Sequence, residues 1–285
     1  MNLILTMYPV LPQSDVRPLF RPLQLKLIEL LSSLTADDWN RQTVAKQWKV
    51  KDVVSHLLDG DLRVLSMQRD KYFGEQPPDI NSYQELVNWL NQLNADWVDA
   101  SRRLSPNVMV LLHQTTGPLV CDYYESLDLQ AEAIFAVDWA GESTSLNWMH
   151  LAREYTEKWH HQQQIRDAVG LEGIMTKAFF RPFMDTFFRA LPNTFRNVAA
   201  EEGTVIQATI TSEAGGSWFL VKEEKGWLLT SGGEKTPDAT VEIPAEISWK
   251  LFSKSLRPSE IRKQIKITGD EALGEKVLEM VSVMA

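Results

Sequence analysis

The hydrophobic period of the chain changes once, near Val205, from about 3.6 residues to 2. Such a chain can be neither one continuous helical bundle nor one continuous sheet. Before the change, apolar residues recur at helical spacing. Leu23, Leu27, Leu30, Leu31 and Leu34 form one stripe. A second helix is predicted from Lys49 to Tyr72, with Val50, Val53, Val54, Leu57 and Leu58, and GEQPPDI breaks it, because prolines cannot continue a helix. A third runs from Ser82 to Leu104, with Leu86, Trp89, Leu90, Leu93 and Trp97 on one face. Ser105 followed by Pro106 reads as an N-cap with proline at the first helical position. After a less regular stretch, Ser145 opens a helix that ends near Gly170. Four long helices predict a bundle.

An aromatic helix follows over Lys177–Ala190, with Pro192 as its stop. Then VIQATI, SWFLVKE, GWLLTSG and DATVEI read as short strands with tight turns. PAEISWKLFSKSL is a helix, KQIKITG a fifth strand, and DEALGEKVLEMVSVM a closing helix. The expected class is α+β, a four-helix bundle followed by a small domain with a mainly antiparallel sheet. The expected division is 1–170, a connecting helix over 171–199, and 200–285.

Charge and cysteine content narrow the partners. A net charge of −9 disfavours a duplex nucleic-acid binder. No apolar run reaches the ~20 residues that span a bilayer. MNLILTMYPVLPQSD lacks the basic start and the cleavage site of a signal peptide. A lone cysteine, Cys121, cannot form an internal disulfide and suits a reducing cytoplasm, where a buried thiol is its simplest role. These features predict a cytoplasmic protein that binds neither duplex nucleic acid nor a membrane.

Five histidines carry most of the candidate chemistry: His56, His113, His150, His160 and His161. At 100° per residue, His150, Glu154, Glu157 and His161 fall within an arc of about 60° on the last bundle helix. Imidazole and carboxylate together suit zinc, nickel, iron or manganese. Two ligands on one helical turn and a third from a facing helix leave positions open, as a catalytic metal requires. The stripe lies opposite Trp148, Ala152, Tyr155 and Trp159, however, and on spacing alone such a stripe is more often a solvated face. His56, between Val53 and Leu57, is on the same terms more often a core or boundary histidine. Asp52 and Asp59 bracket it and are candidates to orient its ring. The phenylalanines of 179–188 read as core between domains rather than as a substrate box. No H-E-x-x-H, P-loop, G-x-S-x-G or G-x-G-x-x-G pattern occurs.

Two segments carry a family resemblance. WKVKDVVSHLLDGDLR resembles the second helix of the DinB-like superfamily, in particular the metal-binding domain of the mycothiol-dependent maleylpyruvate isomerase family. REYTEKWHHQQQIRDAVG resembles that family's E-x-W-x-H-x-x-D-I-R-x-A-x-G helix. By this match His56, Glu157 and His161 are the metal ligands. His160 stands where the family usually has an apolar residue, and Gln164 where aspartate is frequent. The stretch from PDATV to the C-terminus is similar to the family's sterol-carrier-like second domain. The resemblance implies a small-molecule substrate and a divalent metal, zinc first, that activates a low-molecular-weight thiol such as mycothiol or an analogue for isomerisation or S-transfer. In the namesake reaction the thiol adds to maleylpyruvate, the former double bond rotates, and elimination gives fumarylpyruvate. Two other readings stand beside it: a non-catalytic binder of a small apolar ligand, and a metal-dependent hydrolase.

Overall fold

A computed structural model describes residues 8–74, 78–233 and 235–283. The chain divides into two compact units that interleave along the sequence. Residues 15–134 and 157–174 form one, and residues 8–14, 135–156 and 175–283 form the other. The helix Asn147–Val169 gives its first half to one unit and its second half to the other.

The first unit is helical. Helix α1 (Arg17–Ser33), α2 (Val50–Arg63), α3 (Tyr83–Ser101) and α4 (Pro106–Glu125) are joined by the second half of α5 (Asn147–Val169). A core of Leu27, Leu30, Val53, Val54, Met109 and Ile165 draws on α1, α2, α4 and α5. Helix α2 starts where Asp52 accepts the backbone N–H of Lys49 and helps close a capping box. It runs on into a π-helical turn over Val64–Arg69. Ser82 and Ser105 cap α3 and α4, accepting from the backbone N–H of Glu85 and Val108. The indole of Trp97 on α3 donates to the Ser55 carbonyl of α2 at 2.9 Å.

Helix α4 is regular over 20 residues, where the sequence suggested only its start. Thr115-Thr116-Gly117-Pro118 hid the rest, because proline and glycine are read as breakers. The glycine has a packing reason. A Cβ at Gly117 would lie 2.1 Å from the amide nitrogen of Gln24.

The second unit holds a five-stranded sheet: β1 (Val205–Thr211), β2 (Gly216–Glu223), β3 (Gly226–Thr230), β4 (Ala239–Pro244) and β5 (Lys266–Gly269), in the order β3-β2-β1-β4-β5. All neighbours are antiparallel except β1 and β4, which run parallel with Ile206 opposite Ala239. The mainly antiparallel sheet and the α+β class match the sequence reading. Helix α6 (Lys177–Phe187) buries Phe180, Phe183 and Phe187 in the core of this same unit, and Phe188 stacks on Trp218 at 4.2 Å. The Tyr155 hydroxyl of α5 donates to the Phe179 carbonyl at 2.8 Å, which ties the first half of α5 here. Four shorter helices complete the unit: α7 (Leu191–Phe195), α8 (Ala245–Phe252), α9 (Pro258–Ile261) and α10 (Glu271–Val277). Among the described residues, no helix is long and apolar enough to cross a membrane.

Candidate functional site

Helices α2 and α5 bring three side chains together. On α2 the apolar residues Val50, Val53, Val54 and Leu57 face the core, which leaves His56 one step round the helix. On α5, Glu157 and His161 are one turn apart and project to the same side. One ligating atom from each of His56, Glu157 and His161 lies within 4.8 Å of the other two. Nε2 of His161 is 3.4 Å from a Glu157 carboxylate oxygen. The two imidazoles meet edge to face, with centroids 4.7 Å apart.

The lone pairs can be assigned from the neighbours. Nδ1 of His161 lies 2.9 Å from the carbonyl oxygen of Gln164. A carbonyl only accepts, so Nδ1 of His161 donates to Gln164, and Nε2 is the nitrogen turned toward Glu157. Nδ1 of His56 is buried and has no hydrogen-bond partner among the described residues. Burial first, and then the positive charge that His161 and Arg63 can carry, push the His56 pKa well below the usual histidine value. His56 is therefore a neutral imidazole, the form that ligates metal. Trp48 covers its face at 4.8 Å and lies 6.2 Å from His161. The Glu157 side chain remains 40% exposed, which leaves the site open on that side.

Other candidates fall elsewhere. The stripe of His150, Glu154, Glu157 and His161 is only partly solvated: His150 and His161 are buried, whereas Glu154 and Glu157 are partly exposed. Both sides of α5 are covered, so helical period alone could not tell them apart. His150 is engaged by Arg153, whose guanidinium lies 3.0 Å from its Nδ1, and Glu154 pairs with the same arginine. Asp52 caps α2, and Asp59 pairs with Arg63 at 3.0 Å. Cys121 is a buried free thiol, and burial pushes its pKa up, away from the reactive thiolate. Arg166 donates to the carbonyls of Glu172 and Lys26 and so pins the end of α5.

The sequence reading missed a second polar cluster in the helical unit. Asp61 of α2 is paired with Lys158 of α5, accepts from the Thr116 hydroxyl at 3.2 Å, and lies 3.7 Å from Nδ1 of His113. Nε2 of His113 donates to the Val54 carbonyl at 3.0 Å. Asp61, His113 and Lys158, with Gln24 and Gln162, line a cavity with room for about one water. The only signal in the sequence was Asp61 on the apolar side of α2, and its partner is 97 positions away.

Comparison with known proteins adds the family. A family profile described as the mycothiol maleylpyruvate isomerase N-terminal domain matches residues 20–166, more than half of the chain. The crystal structure of a histidine-to-alanine mutant of mycothiol-dependent maleylpyruvate isomerase is similar, with a TM-score of 0.52 at 12% identity, covering 86% of this chain and 90% of that one. At that identity the likeness speaks for the fold. Sterol Carrier Protein 2 Like 2 from Aedes aegypti aligns with 34% of this chain and 95% of its own, at 21% identity and a TM-score of 0.28. No curated protein matches by sequence. The match over residues 20–166, which spans both helices of the His56, Glu157 and His161 cluster, makes this chain a member of the mycothiol maleylpyruvate isomerase N-terminal domain family.

Proposed function

We propose that the protein is a metal-dependent enzyme of the maleylpyruvate isomerase type, in which His56, Glu157 and His161 hold a divalent ion. One observation carries this reading: two imidazole nitrogens and one carboxylate oxygen, brought from two helices, converge within 4.8 Å of one another. With Nδ1 of His161 turned to Gln164, its Nε2 faces a carboxylate oxygen of Glu157 at 3.4 Å, and both are within 4.8 Å of a nitrogen of His56. A cation at their common point would be coordinated by all three side chains. Two imidazole nitrogens and one carboxylate oxygen are a donor set that zinc accepts with positions to spare; nickel, iron and manganese accept it as well.

When bound, such an ion favours the ionised form of a coordinated thiol and so supplies a nucleophile at neutral pH. The residues of the chain do the rest. Gln164 holds the His161 ring, Trp48 covers the His56 ring on one face, and the exposed flank of Glu157 is where a small molecule enters. For the reaction we infer a low-molecular-weight thiol, mycothiol or an analogue, acting on a small unsaturated acid. The sulfur adds to one carbon of the double bond, the resulting single bond rotates, and the sulfur leaves with the geometry changed. If a good leaving group replaces the double bond, the same site performs S-transfer.

Two measurements on the purified protein test this reading. Metal analysis should give about one divalent ion per chain, and conversion of maleylpyruvate to fumarylpyruvate should require an added thiol. Protein that neither retains nor takes up a divalent ion would rule the reading out. Metal uptake with turnover of esters or amides, and none with thiols, would make it a hydrolase.

A further inference from the structure

Gln164 serves two imidazoles at once. Its carbonyl oxygen lies 2.9 Å from Nδ1 of His161, and its amide nitrogen lies 3.3 Å from Nε2 of His160. All three side chains are buried, at 3%, 9% and 6% exposure for Gln164, His161 and His160. An amide has one end that only accepts and one that only donates. The carbonyl end therefore needs a proton on Nδ1 of His161, and the amino end needs a lone pair on Nε2 of His160. Rotating the amide by half a turn would require both rings to exchange tautomers together, so the amide and the two rings are set as one unit.

We propose that Gln164, held in direction by His160, is a positioning residue that locks His161 in its Nδ1–H form and dedicates Nε2 to the point shared with Glu157 and His56. The proposal rests on the metal-ligand reading above, although the lock itself exists without metal. It also has a consequence for charge. An amide in this place adds no negative charge to the site, so a dication facing the single carboxylate of the triad keeps a surplus of positive charge. That surplus favours an anionic incoming ligand, such as a thiolate, over a neutral one.

The test combines nitrogen-15 NMR of the histidine rings in metal-free protein with cobalt(II) titration of wild type, Gln164→Glu and Gln164→Leu. Glutamate keeps an oxygen for His161 but cannot donate to His160, and leucine does neither. In wild type and Gln164→Glu, His161 should carry its proton on Nδ1. In Gln164→Leu it should sample both tautomers, and cobalt should bind roughly tenfold to hundredfold more weakly. Gln164→Glu should bind cobalt at least as tightly as wild type, with the His160 signal shifted. A wild-type His161 protonated on Nε2 would overturn the proposal, as would equal cobalt affinity in wild type and Gln164→Leu. Should the leucine variant not fold, the wild-type tautomer and the glutamate variant still decide. Wild-type protein with the Nδ1–H form but no cobalt uptake would sink the metal reading and leave the lock standing.

Discussion

The Lys158 ammonium is bonded to the carboxylate of Asp61, which is 1% exposed, inside the helical unit. Burial alone would raise the Asp61 pKa. The Lys158 charge, with His113 adding to it, outweighs burial and brings the pKa down to about 2. A carboxylate depressed in the folded state stabilises the fold above its unfolded pKa, and the gain is lost as pH falls toward the folded value. Unfolding free energy should therefore drop between about pH 4 and pH 2. Lys158→Met leaves a buried carboxylate without its cation and should cost about 3–5 kcal/mol at pH 7. The double variant Asp61→Leu with Lys158→Met should be more stable than Lys158→Met alone. Urea denaturation of the three proteins at pH 7 measures this, and a double variant no better than the single one would count against a net electrostatic penalty.

Gly117→Ala tests the close approach of α1 to α4. Alanine is a better helix former than glycine by about 1 kcal/mol. The new methyl, however, would lie 2.1 Å from the Gln24 amide nitrogen, which now donates to the His113 carbonyl at 3.0 Å. Moving Gln24 gives up that buried bond and forces repacking, at a cost of about 1–3 kcal/mol. The balance should be a lower melting temperature, despite the gain in helix propensity. A raised melting temperature would show that Gln24 relocates without penalty.

Much of this molecule could be read from period and motif. That Glu157 and His161 share a side of α5 was visible because about four residues make one helical turn, and the strands because the period falls to 2 near Val205. His56 was not separable from a core histidine on spacing, and only the resemblance of WKVKDVVSHLLDGDLR singled it out. What the sequence could not give was the far side of α5. Its Trp148–Tyr155–Trp159 face looked like the whole buried surface, yet His160, Gln162 and Gln164 are buried as well. Burial on two sides depends on what other segments cover, and no local pattern encodes that. The ends of the His113–Asp61–Lys158 cluster were hidden for the same reason, since they come from three helices far apart in sequence.

His150 predicts acid sensitivity in a different pH range. It is 1% exposed, and burial pulls its pKa down from 6.5 to about 4, with Glu154 opposing and Arg153 assisting that shift. When the folded pKa lies below the unfolded one, stability is complete above the unfolded value and falls as pH drops toward the folded one. The loss should run between about pH 6.5 and pH 4 and amount to about 3 kcal/mol for this residue. His150→Gln should flatten the unfolding free energy over that interval while leaving the Asp61 transition at lower pH in place. Equal slopes in variant and wild type would mean that His150 takes up its proton in the folded protein as readily as in the unfolded chain.

His161→Ala separates a ligand from a structural histidine. Alanine suits the middle of α5, so the backbone gains no strain. The ring is nevertheless buried against His56 and bonded to Gln164, so its removal should cost about 1–3 kcal/mol, short of unfolding. If the residue is a ligand, the effect on metal is of another order. Glu157 and His56 alone offer two donors, too few to close a tetrahedral site with only one position left to an incoming molecule. Cobalt or zinc should then wash out on dialysis, and thiol-dependent turnover should vanish with it. If Glu157 and His161 are merely an ion pair, the variant loses the same stability while metal content, low or high, does not change. Metal stoichiometry and melting temperature measured on the same preparations distinguish the two cases. Unchanged metal in a folded variant would remove His161 from the site, and with it the pairing of Glu157 and His161 on which the metal assignment stands.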